Sequence, residues 1–260
     1  MAIKKMALAE ICRRYRRLYT GLVADLLDGK GVRNHSLPAH LRPLKKNMIV
    51  AGPAFTCQGY PTGDIKSDDT PMVIKLLESL TPHSVAVMNT GGDISSSHWG
   101  EIMTLSAKQR GCTGAVVDGG IRDTAYILKT KFPVFVKFYM PASSVSRFEL
   151  KELQVPIRIG EVCILPGDFI LGDVDGVVVI PGALAEEVLL EAERKMRNEA
   201  GMRQALRRST QNITSCRESA RNSIFPDTWP ARRATLRDWA RFYRTSSVYP
   251  RRFWNSKGHG

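Results

Sequence analysis

The middle of the chain alternates between short apolar runs and amphipathic stretches. Apolar runs at 84–89 (SVAVMN), 114–117 (GAVV) and 133–138 (PVFVKF) predict buried strands. Helical spacing of apolar positions predicts a helix between the first two runs, and a shorter helix is expected near residues 123–130. The positions at helical spacing are Trp99, Ile102, Met103 and Ser106. Alternating strands and helices predict an α/β layer arrangement.

The flanking segments predict further elements. Residues 48–57 (MIVAGPAFTC) indicate another strand, and residues 20–28 (TGLVADLLD) a short helix capped by Thr20. Residues 155–181 carry β-branched runs separated by Pro-Gly-Asp and Asp-x-Asp-Gly turns, which predicts β-hairpins. A helix follows, with one apolar face formed by Leu184, Val188, Ala192 and Met196.

Composition favours an ordinary folded protein. The chain has 260 residues, of which 43% are hydrophobic, enough for one substantial core. Its amino terminus lacks an apolar signal region and no run of eighteen apolar residues occurs, so we expect a cytoplasmic protein without a membrane span. The five cysteines form no CxxC pair and are expected to be reduced.

The net charge of +13 is concentrated at the carboxyl end. Residues 201–260 carry 13 Lys/Arg against 3 Asp/Glu, so the first 200 residues contribute only +3. From about residue 207 the composition shifts to Arg, Ser and Trp. We therefore predict a domain at 1–205 and a basic, weakly structured extension at 206–260. Three interpretations of the extension stay open: a solvated appendage, an arm that contacts RNA through interleaved Arg and Trp, or the product of a shifted reading frame.

Two loops carry the candidate chemistry. The segments TGGDISSS (90–97) and DGGIRD (118–123) each follow a predicted strand, at the sheet edge where ligands of such folds bind. Backbone N–H groups after the first loop suit a small carboxylate, and Arg122 offers a planar two-pronged contact to the same anion. Asp93 and Asp123 are candidate oxygen ligands for Mg²⁺ or Mn²⁺.

A simpler interpretation of these residues stays open. Asp123 stands where a helix begins and could be only its N-cap, Arg122 could be solvated, and Glu101 is expected at the surface. The Asp173–Gly176 turn lacks the ligand set of a calcium loop and indicates a hairpin turn. The sequence contains no HExxH, GxSxG, Walker A or GxGxxG motif, which argues against zinc peptidases, hydrolase elbows and nucleotide sites.

The ordered string of motifs resembles the RraA-like family over roughly residues 20–205. The segments that carry the resemblance are LRPLKKNMIVAGPAFT (41–56), GDISSSHWGEIMTLSAKQRGCTGAVVDGGIRD (92–123), FPVF (132–135) and VPIRIGEVCILPGDFILGDVDGVVVIP (155–181). The family contains 4-hydroxy-4-methyl-2-oxoglutarate aldolases, which also decarboxylate oxaloacetate, and the regulator of ribonuclease activity A. The chain departs from the family pattern after about residue 205.

The resemblance implies an α-β-β-α sandwich in a homotrimer or dimer of trimers, with the site at a subunit interface. It implies that Asp123 holds Mg²⁺ or Mn²⁺ and that Arg122 contacts the substrate and its enolate oxygen. The Gly92-Asp93-Ile94-Ser95 loop would supply an acidic group near the metal and N–H groups for the pyruvyl carboxylate. Glu199 is matched to an acidic residue contributed by a neighbouring subunit.

The expected function is a divalent-metal-dependent aldolase that cleaves 4-hydroxy-4-methyl-2-oxoglutarate-type acids to pyruvate and decarboxylates oxaloacetate. Arg122 and Asp93 are the expected catalytic residues: Arg122 stabilises charge on the 2-oxo oxygen, and Asp93 positions a metal-bound water that acts as base. The alternative is a non-catalytic regulator that binds a ribonuclease or RNA helicase, because fold alone does not assign activity.

Overall fold

The computed structural model describes residues 6–64, 66 and 70–208, with side chains up to residue 199. The chain divides into two units, Met1–Glu193 and Arg194–Gly260. The first unit holds the sheet and the candidate site. The last helix begins in the first unit and ends in the second.

The helices and strands follow in chain order. The helices are α1 (Leu8–Tyr15), α2 (Thr20–Gly29), α3 (Thr70–Ser79), α4 (Glu101–Gln109), α5 (Thr124–Thr130) and α6 (Ala185–Arg208), with a 3₁₀ turn at Gly182–Leu184. The strands are β1 (Arg42–Pro43), β2 (Val50–Pro61), β3 (Val85–Asn89), β4 (Ser97–Trp99), β5 (Gly114–Ile121), β6 (Val134–Tyr139), β7 (Phe148–Leu153), β8 (Ile157–Ile159), β9 (Val162–Ile164), β10 (Phe169–Asp173) and β11 (Gly176–Ile180).

One nine-stranded sheet organises the first unit. Its main path is β1-β6-β5-β3-β2-β10-β11, with β4 paired to β5 and β7 paired to β2. The pairs β2–β3, β3–β5 and β5–β6 are parallel, whereas β10 and β11 add an antiparallel hairpin. Because β1 also lies against β10 and β11, the sheet nearly closes on itself.

The curled sheet separates two apolar cores. Successive residues of a strand face opposite sides, so Val116 packs in the core enclosed by the sheet and Val117 in the core beneath the helices. The outer core also contains Leu76 of α3, Ala107 of α4 and Ile127 of α5. Strands buried on both faces explain the nearly continuous apolar runs in the sequence. The predicted α/β fold class is confirmed.

Most predicted elements are present, with corrections at their ends. The predicted 99–106 helix begins at Glu101, and Trp99 belongs instead to β4, which pairs with β5. The hairpins predicted within 155–181 are confirmed as β8–β9 and β10–β11. The predictions did not include α1, α3 or β7.

Thr20 does not cap α2 as predicted. The helix begins at Thr20 itself, and the N-cap position is Tyr19. Asp173, at the end of β10, accepts hydrogen bonds from the Thr20 N–H at 2.8 Å and the Thr20 hydroxyl at 2.7 Å. A carboxylate from the hairpin therefore satisfies the helix end. The Asp173–Gly176 turn is the predicted hairpin turn.

The basic extension lies outside the described residues from position 209 onward, so its predicted structure and RNA contacts stay predictions. In the described part of the chain, no helix combines the length and apolarity that crossing a membrane requires. Cys12, Cys57 and Cys112 are buried and Cys163 is exposed, and their reduced state stays a prediction.

Candidate functional site

The candidate site lies where the loops after β3 and β5 meet. β3 ends at Asn89, opposite Asp118, while β5 continues three residues further to Ile121. The chain after β3 returns as β4, which pairs with the projecting end of β5. The Arg122 N–H donates to the Trp99 carbonyl at 3.1 Å. This pairing brings the start of α4 beside Arg122 and Asp123.

Asp93 is buried inside the first loop. Its side chain accepts hydrogen bonds from the Ser95 N–H at 2.8 Å, the Ser95 hydroxyl at 2.7 Å and the Ser96 hydroxyl. His98 Nε2 lies 2.9 Å from the same carboxylate. Only 4% of Asp93 is exposed to solvent. The carboxylate therefore holds the loop together and is turned away from solvent.

His98 connects this loop to the end of β5. Its Nδ1 accepts the Gly120 N–H at 3.1 Å, so the neutral ring carries its proton on Nε2 and donates it to Asp93. Phe148 contacts the ring edge-on, with centroids 4.5 Å apart. A β-carbon at Gly119 would lie 2.5 Å from Nδ1, so glycine is required there for the ring to fit. Both ring nitrogens are occupied within the protein.

Burial and hydrogen bonding shift the pKa values of this pair. Burial alone would raise the pKa of Asp93, but the hydrogen bonds from Ser96, Ser95 and His98 outweigh it and lower the pKa from 3.8 to about 2. Burial lowers the pKa of His98 below its ordinary 6.5, although Asp93 opposes that shift. Asp93 is therefore charged and His98 neutral near pH 7.

Arg122 and Asp123 lie at the surface beside this buried pair. Arg122 Nε is 3.8 Å from Asp123 Oδ2, and 45% and 42% of the two side chains are exposed. Asp123 occupies the N-cap position of α5 with left-handed backbone angles (φ 58°, ψ 26°). Its side chain makes no capping hydrogen bond to α5. Asp123 thus has the N-cap position that the simpler interpretation gave it, but its carboxylate does not cap α5.

The Asp123 carboxylate is directed instead toward the start of α4. Its Oδ2 accepts the Glu101 N–H at 3.3 Å. A β-carbon at Gly100 would lie 2.8 Å from Oδ2, so a glycine at this position gives the carboxylate its space. Among the described residues, Oδ1 has no hydrogen-bond donor. One oxygen of Asp123 is thus anchored and the other is available.

A cavity of about 350 Å³ opens beside Arg122 and Asp123. The start of α4 borders it through Gly100, Ile102 and Met103. The N–H groups of Ile102 and Met103 belong to the first helical turn, where no intrahelical acceptor exists. Together with Arg122, they form an arrangement suited to a small carboxylate.

The structure separates the predicted site residues into two groups. Arg122 and Asp123 line the cavity, whereas Gly92, Asp93, Ile94 and Ser95 do not. Gly92, Ile94 and Ser95 are exposed and Asp93 is buried. Glu199 is half-buried and lies in the second unit of the chain. The roles predicted for these residues stay predictions.

The N–H groups predicted after the first loop belong to the start of α4, whereas no role in the site was predicted for His98. Glu101 is half-buried rather than fully at the surface, and its backbone N–H contacts Asp123. In the sequence, Gly100 and Glu101 precede a helical pattern and so indicate a helix start. Only the pairing of β4 with β5 shows that this helix start faces Asp123. His98 has no motif in sequence, because its two partners lie 5 and 22 residues away.

The donor set fits a hydrated hard cation. No group of three His, Cys, Asp or Glu side chains able to hold a metal occurs among the described residues. Mg²⁺ typically keeps several waters and takes one or two carboxylates together with substrate oxygens. The available Oδ1 of Asp123, beside an open cavity, meets that requirement.

Comparisons with known proteins identify the family. Residues 20–179 match the RraA-like family model, described as Aldolase/RraA. A Halalkalibacterium halodurans protein, named provisionally as a 4-hydroxy-4-methyl-2-oxoglutarate aldolase, is 33% identical over 223 residues, which cover 85% of this chain and 100% of the relative.

Solved structures share the fold. RraAS2 of Streptomyces coelicolor, described as an unusual member of the RNase ES inhibitor RraA protein family, is 28% identical with a TM-score of 0.68, covering 77% of this chain and 99% of that one. A protein described among novel cellulases from gut-associated microbes is 37% identical with a TM-score of 0.73, covering 77% and 90% of the two chains.

We expect the free energy of unfolding to fall on acidification. The folded pKa of His98 lies below 6.5, so the unfolded chain takes up this proton first as pH falls below about 6.5. Asp93 adds a loss of about 2 kcal/mol between about pH 4 and 2, because its pKa is 3.8 unfolded and about 2 folded. Urea unfolding across this range measures both. Asp93→Asn should remove the loss of stability between about pH 4 and 2. An unchanged pH profile in that variant would contradict the assignment of this loss to Asp93.

His98→Leu should destabilise the protein by about 3 kcal/mol or more, because the buried Asp93 charge loses a donor and the Gly120 N–H loses its acceptor. His40→Leu is the matched control: His40 is exposed and contacts Asp118 at 3.2 Å, so its loss should cost less than about 1 kcal/mol. Denaturant unfolding compares the two. Equal losses in both variants would show that the buried pair contributes no more than a surface contact.

Proposed function

The chain belongs to the RraA-like family, and from that premise we propose that it is a divalent-metal-dependent lyase that releases pyruvate from 4-hydroxy-2-oxo acids and from oxaloacetate. The observation that carries the proposal is the exposed Arg122–Asp123 pair beside a cavity and the first turn of α4. An exposed guanidinium meets a carboxylate oxygen and two first-turn N–H groups that have no hydrogen-bond partner among the described residues.

Cleavage of the C3–C4 bond leaves two electrons on a carbon next to a carbonyl. The site must therefore stabilise negative charge on the 2-oxo oxygen. In our proposal the Arg122 guanidinium binds that oxygen, and the first-turn N–H groups of α4 bind the adjacent carboxylate. A Mg²⁺ or Mn²⁺ ion held by Asp123 would add positive charge at the same oxygen.

Asp93 acts indirectly in this proposal. Its carboxylate already accepts hydrogen bonds from Ser95, Ser96 and His98, so it has little capacity to contact substrate. Through His98 it holds the end of β5, from which Arg122 and Asp123 project. We therefore assign Asp93 a positioning role. In this proposal the substrate carboxylate is bound by the N–H groups at the start of α4 and not by those of the 92–95 loop.

We also propose that the subunits form a homotrimer or a dimer of trimers in which α4 and α5 meet a second copy. Ile102, Leu105 and Tyr126 are 77%, 49% and 54% exposed on these helices, near the site. Several exposed apolar side chains close together favour burial against another protein surface.

Substituting Leu105→Glu should dissociate this assembly, because an unpaired charge would be buried at the contact. Light scattering after size-exclusion chromatography measures the mass. Leu190→Glu, at a 48% exposed position on α6, is the matched control and should leave the mass unchanged. A wild-type protein that elutes as a monomer would overturn the proposed assembly.

A non-catalytic regulator is the second candidate. Its support is the likeness to RraAS2, a protein described in relation to RNase ES inhibition. Such a regulator needs no available carboxylate oxygen beside a cavity, and this is why the lyase is favoured. Binding to a ribonuclease or RNA helicase without pyruvate release would support the regulator.

The lyase is tested by pyruvate release from oxaloacetate and from 4-hydroxy-4-methyl-2-oxoglutarate, with Mg²⁺ and then with EDTA. Arg122→Ala should lower kcat by about 10²–10³, as the loss of one oxyanion donor does. Asp123→Asn should abolish the metal-dependent turnover and weaken Mn²⁺ binding measured by electron paramagnetic resonance, while the circular dichroism spectrum is retained.

Arg110→Ala is the matched control, since this exposed arginine lies at the far end of α4 and donates to the Glu78 carbonyl. It should keep wild-type activity. Full turnover in EDTA, or an Asp123→Asn variant that retains turnover, would refute the proposed function.

A further inference from the structure

The cavity beside Arg122 extends under α3 and has mainly apolar walls. Its inner wall includes Leu77 of α3, Met88 of β3, Trp99 of β4 and Phe148 of β7. Met88, Trp99 and Phe148 are almost completely buried and belong to the outer core. These walls are therefore rigid parts of the fold and would not turn polar groups toward a ligand.

Part of the cavity rim is also apolar, although Thr70, Ser143 and Ser144 line the cavity with hydroxyl groups. Ile74 of α3 and Val145 line it and are half exposed. Such side chains gain free energy when an apolar group covers them, by about 25 cal/mol for each Å² removed from water. The rim and the inner wall thus favour the same chemical class of ligand.

Arg122 is the only Lys or Arg among the described residues that line the cavity. In the proposed reaction this guanidinium binds the 2-oxo oxygen of the pyruvyl group. A second carboxylate at the far end of the substrate would then find no lysine or arginine among the described lining residues of its own chain, which is costly because a buried charge requires a cationic partner.

Arg147 directly precedes the lining residue Phe148 in the sequence and is the nearest cation along the chain that could pair with a second substrate carboxylate. It is exposed, and its Nη1 donates to the Ser143 carbonyl at 3.2 Å. Ser143 and Phe148 line the cavity, but Arg147 does not. Its side chain is therefore outside the cavity lining.

We propose that this cavity accepts an apolar substituent on the 4-carbon of the substrate. The preferred substrates are then aldol adducts of pyruvate with an aliphatic or aromatic aldehyde or ketone, rather than acids with a second carboxylate at that position. This inference rests on the proposed function and adds the substrate class.

The reaction is balanced without an oxidant or a reductant. The C3–C4 bond breaks and its electron pair stays on C3, which gives pyruvate after C3 takes up a proton. The proton of the 4-hydroxyl group is lost and C4 becomes a carbonyl carbon. The second product is an apolar aldehyde or ketone, so a reaction that oxidises or reduces such carbonyl compounds would have to consume it.

The experiment measures pyruvate release by the full-length protein with Mg²⁺. The substrates are oxaloacetate, 4-hydroxy-4-methyl-2-oxoglutarate and the adducts of pyruvate with acetone, butanal, hexanal and benzaldehyde. We expect kcat/KM for the butanal and hexanal adducts to exceed that for 4-hydroxy-4-methyl-2-oxoglutarate at least tenfold. Each additional methylene that the cavity buries should raise kcat/KM by up to about fourfold, equivalent to about 0.8 kcal/mol.

Ile74→Lys tests the wall itself. A lysine at this half-exposed position places a cation at the rim, so it should lower kcat/KM for the hexanal adduct and raise it for 4-hydroxy-4-methyl-2-oxoglutarate. Leu190→Lys introduces the same charge on α6, away from the cavity lining, and should change neither value. Unchanged specificity in Ile74→Lys would count against the assigned subsite.

The outcomes separate this inference from the proposed function. A preference for 4-hydroxy-4-methyl-2-oxoglutarate, lost selectively in Arg147→Ala, would overturn the apolar subsite and leave the lyase intact. Failure of every substrate, oxaloacetate included, would refute the lyase and the subsite together. Faster cleavage of the longer alkyl adducts, with loss of that preference in Ile74→Lys, would support both.

Discussion

The geometry of the site depends on the buried hydrogen bonds between Asp93, His98 and the backbone of β5. A buried carboxylate is stable only when donors surround it, and here Ser95, Ser96 and His98 supply them. His98 then uses its second nitrogen to accept the Gly120 N–H. The loop after β3 and the end of β5 are thereby held at a fixed separation, and the exposed pair that follows β5 is placed by that contact.

The site combines a rigid interior with an accessible edge. The residues that fix its shape, His98 and Trp99, are buried, whereas Arg122 and Asp123 are nearly half exposed. The left-handed backbone of Asp123 directs its carboxylate across to the start of α4 instead of back onto its own helix. Local backbone geometry thus converts a residue at a helix-capping position into one that is available to a cation.

Membership in the RraA-like family defines the scaffold but leaves the chemistry to particular residues. Relatives of this chain are described both as aldolases and as members of a ribonuclease-inhibitor family. The distinction therefore lies in what surrounds the Arg122–Asp123 pair. In this chain the pair borders a mainly apolar cavity, and Arg122 is the one lysine or arginine among the described residues that line it. In the proposed function, the walls would supply selectivity for the substrate and the polar edge would supply the reaction.

The sequence by itself determined the α/β class, the hairpins within 155–181 and the adjacency of Arg122 and Asp123, because periodicity and turn residues act over a few neighbouring positions. Only the tertiary structure decided that Asp93 is buried against His98 and that Asp123 faces the first turn of α4. It also decided that α3 covers the cavity. These contacts join segments up to tens of residues apart, and they depend on the pairing of β4 with β5 and on packing across the sheet, which no local pattern encodes.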